Sequence, residues 1–315
     1  MPAVAFAVLS AACYGSGQFM TQIGLRHGRV RTAQAILINL TAATLVLALA
    51  LGVVWVLDPV DLEWRGVAYF AVAGLLGPFA GRSLSFLAIQ RVGATRTASL
   101  GLSEGLFAAA LAWILLDQTL STLTLAGVVV LVAGTALFVN ETGRSFRQPD
   151  PPAPVESGDA AAASPPVARV AAGVAIGLTA GLLFSLAGVL RQLGIDLVPS
   201  AVLGAAVGTS VALLVTLVNV VRAGQLRGVF LVKPWDAAPL AASGVLASAG
   251  MVCFFLALQL GGGLAVSSTL KNLTPLFTFA LAALFIARLE RITVRVGLLV
   301  ALVVAGAVLM TMGRG

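Results

Sequence analysis

The chain has 315 residues, of which 59% are apolar and 10% charged, and its formal net charge is +7. A soluble domain carries about a quarter charged residues, so this composition excludes an ordinary water-facing globule and suits a surface wrapped by lipid. The positive balance does not point to nucleic acid, because the basic residues lie in short segments between apolar runs, where they set membrane orientation.

A membrane-spanning helix needs about 20 mostly apolar residues, and ten such segments follow one another along the chain. The first, Ala3–Ile23, lacks the charged start of a cleavable signal and is too long for one. It carries Cys13, and Tyr14 and Gln18 one helical turn apart. The second, Thr32–Leu57, holds Gln34 and Asn39. The third, Gly66–Ile89, contains Gly77-Pro78-Phe79-Ala80-Gly81, a kink signal because proline removes a backbone donor, followed by Arg82, Ser83 and Ser85. In the fourth, Ala94–Leu116, Ser103 and Glu104 sit inside Gly101-Leu102-Ser103-Glu104-Gly105, a spacing of small residues that brings helices close. The fifth is Leu120–Val139.

Residues Glu141–Arg169 are dominated by proline, alanine, serine and charge and read as a flexible solvated linker. The sixth span, Val170–Gln192, has Gly173, Gly177 and Gly181 as a packing stripe. The seventh is Ser200–Val221, with Asn219. The eighth, Ala237–Leu260, holds Cys253 and Gln259. The ninth, Leu264–Ala287, has the most polar patch of any span: Ser268, Lys271, Asn272 and Pro275 fall at i, i+3, i+4 and i+7 on one helical face. The tenth is Ile292–Met312. Period-two alternation is absent, so strands are not expected.

The loops after odd-numbered spans hold Arg26, Arg29, Arg31, Arg91, Arg96, Arg144, Arg147, Arg169, Arg222, Arg227, Lys233, Arg288, Arg291 and Arg295, whereas the other loops and the C-terminus hold Arg65, Arg191 and Arg314. The positive-inside rule then places both termini outside the cytoplasm. Each half has an odd number of spans, so the second half is inverted relative to the first, the arrangement used for alternating access. The domains expected are residues 1–140, the linker 141–169, and residues 170–315.

The halves are related in sequence. Phe86-Leu-Ala-Ile-Gln90 matches Phe255-Leu-Ala-Leu-Gln259, Gly105-Leu-Phe107 matches Pro275-Leu-Phe277, and Ala133-Gly134 matches Ala305-Gly306. With Gly261–Gly263 and the acidic Asp117 and Glu290 near the ends of the fourth and ninth spans, these features resemble the EamA branch of the drug/metabolite transporter superfamily. The first half departs from that pattern in having glycine for proline and aspartate for glutamate. The resemblance implies an all-α membrane fold of ten helices in two inverted five-helix repeats. It also implies transport of amino acids, other metabolites or drugs across the bacterial inner membrane, often outward, and a central cavity lined by spans four and nine.

Three charges lie inside spans: Arg82, Glu104 and Lys271. Intramembrane charge is costly and points to a cavity or a partner. Glu104 is read either as a proton carrier or as half of a buried salt bridge with Arg82 or Lys271. Arg82 lies about 10 Å from the span end, at 1.5 Å per residue, within reach of snorkelling. Lys271 suits a carboxylate or phosphate and Glu104 an amine; together they suit a zwitterion such as an amino acid. The residues expected to bind solute or couple ions are therefore Glu104, Lys271, Asn272, Arg82, Ser268, Tyr14 and Gln18, with Pro78 and Pro275 as hinges. Asp58, Asp117 and Glu290 lie at span ends and read as solvated.

No catalytic residue, metal site or cofactor is expected. The one histidine, His27, and the two cysteines show no metal-ligand spacing, and no phosphate-binding G-x-x-x-x-G-K-[ST] run is present. The leading expectation is a secondary transporter whose partners are the bilayer, a small-molecule solute and protons. The rival is a flippase for lipids or lipid-linked sugars. A membrane-embedded enzyme lacks the paired acids or histidines it would need.

Overall fold

A computed structural model describes residues 2–25, 30, 32–57, 62–92, 97, 100–118, 120–145, 166–224, 232–285 and 294–312. Among them all regular structure is helical. The elements are α1 (Pro2–Leu25), α2 (Thr32–Leu57), α3 (Trp64–Gly74), a π-helical segment (Leu75–Gly81), α4 (Arg82–Val92), α5 (Ser103–Leu115) and α6 (Thr122–Ser145). They continue as α7 (Pro166–Leu197), α8 (Ala201–Arg222), α9 (Pro234–Gln259), α10 (Leu264–Lys271), α11 (Thr274–Phe285) and α12 (Val294–Met312).

Seven helices among the described residues are long and apolar enough to cross a membrane; Ser103–Leu115 and Gly297–Met312 are shorter apolar helices. In hydrocarbon every backbone N–H and C=O must be paired within the segment, so long apolar runs have little choice but the helix. The side chains confirm the solvent. Leu49, Val56, Leu284 and Phe285 are each at least 70% exposed, and all four tryptophans stand outward near helix ends, as amphipathic rings do at a membrane surface.

The structure corrects several boundaries. The ninth expected span is two helices, α10 and α11, parted by a turn at Asn272–Leu273. The face expected to run from Ser268 through Lys271 and Asn272 to Pro275 therefore stops at the break. Pro275 is the second residue of α11, where a missing N–H costs nothing. Span four is interrupted too: residues 100 and 101 are helical, Leu102 is a turn, and α5 starts at Ser103. The sixth span runs beyond Gln192 to Leu197. Helices also take both ends of the segment read as a linker, to Ser145 and from Pro166. The rest of that segment lies outside the described residues, as do Asp58, His27 and Glu290.

Pro78 sits within the π-helical segment. Proline cannot donate to the carbonyl one turn back, and a wider turn absorbs the mismatch. The N–H of Arg82 reaches back five residues to the Gly77 carbonyl and closes the segment. Between α9 and α10, Gly261 and Gly263 adopt φ of 75° and 62°, a backbone region that only glycine enters freely.

The packing runs almost entirely across the two sequence halves. α1 lies on α9, α10 and α11; α2 lies on α8 and α9; α3 lies on α7 and α8. The π segment and α4 lie on α7, α5 lies on α7 and α10, and α6 lies on α12. Among the described residues neither half has a core that it buries alone. Lipid gives no hydrophobic drive between helices, so close backbone contact through small residues supplies the attraction. A Cβ on Gly306 would stand within 2.9 Å of the Cα and Cβ of Leu131, and Gly127 meets Met310 and the Gly306 carbonyl at the same crossing.

Gly306→Val is therefore expected to lower the unfolding temperature in detergent and the yield of monodisperse protein, by about 1–3 kcal/mol of overpacking. Gly297→Val, where an added Cβ meets nothing, is expected to do neither. Size-exclusion profiles and thermal melts of the two variants check this.

Candidate ionic centre at two helix breaks

The two interruptions meet. The register that aligns Gly105-Leu-Phe107 with Pro275-Leu-Phe277 places Leu102 opposite Asn272, so the breaks fall at corresponding positions of the two halves. Breaking a helix in a membrane leaves carbonyls without partners. The Leu102 carbonyl accepts from Asn272 Nδ2 at 3.1 Å and from the Gly105 N–H at 3.2 Å. Gly105 permits this approach, since a Cβ there would stand 2.7 Å from Asn272 Nδ2. Ser185 of α7 donates to the Glu104 carbonyl at 2.8 Å.

At the same crossing Lys271 Nζ donates to Glu104 Oε1 in an ion pair. Glu104 is 8% exposed. Of the two partners expected for Glu104, the structure selects Lys271 and leaves Arg82 elsewhere. Neither member of the pair is free, so Lys271 does not stand as an open anion site nor Glu104 as an open amine site. Lys271 Nζ also lies 5.4 Å from the Phe254 ring centroid and 5.9 Å from that of Phe184, a cation–π arrangement that partly replaces lost hydration.

The remaining expected residues spread around this centre. Arg82 donates to Asn39 Oδ1 at 3.4 Å, Asn39 donates to Ser243 Oγ, and Ser243 shares a 2.7 Å bond with Thr21. This polar chain links α4, α2, α9 and α1. The Tyr14 hydroxyl contacts Met251 Sδ at 3.4 Å and lies in the electrostatic field of Arg82, Arg191 and Glu104. Gln18 Oε1 accepts from Thr278 at 3.3 Å. The Ser268 hydroxyl is buried with no hydrogen-bond partner among the described residues, as is that of Ser103. Cys13 of α1 and Cys253 of α9 are both free, half-buried cysteines. Among the described residues no cluster of three or more histidine, cysteine or acidic side chains could hold a metal.

A cavity of about 300 Å³ opens beside this region rather than at the ion pair. Its wall comprises Ala33 and Ile36 of α2, Pro78 and Phe79 of the π segment, Arg82 and Ser83 of α4, and Thr216, Asn219 and Val220 of α8, with Ala223 just beyond. The π segment thus forms part of its wall, and Arg82 is its one charged lining residue.

One residue was missed. Arg191, counted among loop cations, is 6% exposed inside α7. Its guanidinium carbon lies 5.9 Å from the Phe254 ring centroid, and a Cβ added to Gly77 would stand 3.0 Å from one of its terminal nitrogens. The signal was present: Leu193, Ile195, Leu197 and Val198 continue the apolar run beyond it, with Gln192 and Asp196 the polar interruptions.

Removing one member of a buried ion pair strands the other charge, which costs about 3–5 kcal/mol, whereas replacing both with apolar or neutral groups costs far less. Glu104→Gln and Lys271→Met are each expected to destabilise by that order. The double variant is expected to be more stable than either single one. A double-mutant cycle on tryptophan-monitored unfolding in mixed micelles measures the coupling.

Residues 1–140 match the sequence model of the EamA-like transporter family. A solved structure described only as the crystal structure of a protein superposes with a TM-score of 0.69, covering 99% of this chain and 97% of the other at 16% identity; at that identity the likeness concerns the fold. No curated protein matches the chain in sequence. Its first 140 residues thus resemble EamA-like transporters, and the long apolar helices mark the chain as a multi-pass membrane protein.

Proposed function

We propose that the protein is a secondary transporter that moves a small metabolite by alternating access, with the crossing of the two broken helices as its centre. The observation that carries this reading is the placement of both breaks, and of the Glu104–Lys271 pair, at one buried crossing. Discontinuous helices cost hydrogen bonds in a membrane, and transporters use them where half-helix ends and freed carbonyls serve a solute or ion.

An arrangement of ten spans as two inverted repeats is part of the proposal. The packing supports it. Exchanging each span for its counterpart five spans later turns the contact of spans one and eight into that of six and three, both of which occur. The contacts of spans two with seven, four with nine and five with ten map onto themselves. In this reading the linker joins the repeats, the arginine-rich loops lie in the cytoplasm of an inner membrane, and both termini lie outside. Transport is outward. Pro78 and Pro275 mark where helices bend as the halves rock. Coupling to a proton gradient is part of the same reading.

Uptake into inverted membrane vesicles tests this. Labelled amino acids, amines and organic acids are offered with and without a proton gradient. The variants compared are wild type and Glu104→Gln/Lys271→Met, which keeps the fold while removing the pair. Accumulation of a compound above protein-free vesicles, with its gradient dependence lost in the double variant, is the expected result. Wild-type vesicles that contain inserted protein and accumulate nothing would contradict the reading.

A further inference from the structure

The core holds more positive charge than it pairs. Arg82, Arg191 and Lys271 converge on a region whose one carboxylate among the described residues, Glu104, is already held by Lys271. Arg191 is the outlier. The residue is 6% exposed, yet its guanidinium makes no hydrogen bond and no ion pair among the described residues; its contact is the face of Phe254. A guanidinium carries five N–H donors, never loses its charge in a protein, and is expensive to bury without an acceptor. A fold keeps such a group where a negatively charged partner arrives from outside.

The surroundings fit an arriving partner. Gly77, lacking a side chain, lets the π segment pack closely on the guanidinium, since a Cβ there would stand 3.0 Å from a terminal nitrogen, and the next residues of that segment, Pro78 and Phe79, line the open cavity. That cavity also presents Arg82, whose one hydrogen bond among the described residues is the long contact to Asn39. Tyr14 lies in the field of both arginines and offers a hydroxyl donor engaged, among the described residues, only with a thioether sulfur. Two arginines and a phenol match the planar, multiply accepting geometry of a carboxylate or phosphate group.

We propose that Arg191, with Arg82 at the cavity wall and Tyr14 beside them, binds the anionic group of the solute, so that the protein carries small organic anions bearing a carboxylate or phosphate. This rests on the transporter reading and narrows its solute class. The anion is captured at Arg82, then held at Arg191 as the π segment shifts. The Glu104–Lys271 pair remains a separate, internally neutral element.

The test is a thermal titration of the purified protein in detergent with sodium benzoate and sodium methylphosphonate, against sodium chloride and tetramethylammonium chloride at matched ionic strength. Benzoate or methylphosphonate is expected to raise the unfolding temperature in a saturable way that neither chloride salt reproduces. Arg191→Gln is expected to melt no lower than wild type when unliganded, because it removes an unpaired buried charge. Its anion response is expected to shift to about tenfold higher concentration or more, the loss of a charge-assisted hydrogen bond. Arg191→Lys, which keeps the charge but not the fork, is expected to retain part of the response.

A wild type indifferent to both anions would overturn the proposal. So would an Arg191→Gln protein that melts lower while keeping the full anion response, since that is the behaviour of a structural arginine. Vesicles that move amines while the anions fail to bind would sink the anion inference and leave the transporter standing. Saturable anion binding without transport of any compound would do the reverse.

Discussion

The structure depends on a helix interruption and its repair. A bilayer offers no water to a stranded carbonyl, so a broken helix survives only where protein groups replace the lost bonds. At the crossing of α5 with α10 and α11 the Asn272 amide satisfies Leu102, Ser185 reaches the Glu104 carbonyl, and Thr274 donates to the Lys271 carbonyl at 2.6 Å. The Lys271–Glu104 pair then fixes the register of one break against the other. Each half supplies what the other lacks, which explains why neither half buries a core of its own and why the helices interleave.

That arrangement places charge where charge is most costly. The Glu104–Lys271 pair is neutral as a unit and is bounded by the rings of Phe184 and Phe254. Arg191 shares Phe254 with Lys271 but has no acceptor among the described residues. Local stability would favour a neutral residue there, so the arginine is best understood through an interaction formed with a visiting anion. The π segment serves the same end. It holds Pro78, forms part of the cavity wall, and packs closely on the guanidinium at Gly77.

The helical, membrane-embedded character was legible in the sequence because apolar runs of this length admit little else. The pairing of Glu104 was legible only to two candidates, Arg82 and Lys271, since spacing within a helix says which residues share a face and not which helix lies opposite. The breaks were harder to see. No proline stands at Leu102, and Pro275 lies three residues beyond Asn272, inside the first turn of α11. The break is fixed by a side-chain bond to a carbonyl 170 residues away in sequence, which no local pattern encodes. Arg191 was misplaced for a related reason: a cation near the end of an apolar run looks like a loop residue until Leu193 to Leu197 are seen to continue the helix.

The central claim is that a buried ionic centre is reached by solutes from each membrane face in turn. Ser268, fully buried with an unsatisfied hydroxyl beside the break, is the position from which to measure it. The measurement is labelling of Ser268→Cys, in a chain with Cys13 and Cys253 replaced by alanine, by a membrane-impermeant thiol reagent applied to right-side-out and to inverted vesicles. The account predicts labelling from both faces, with saturating solute changing the two rates in opposite directions. Labelling from one face alone, or from neither, would contradict it.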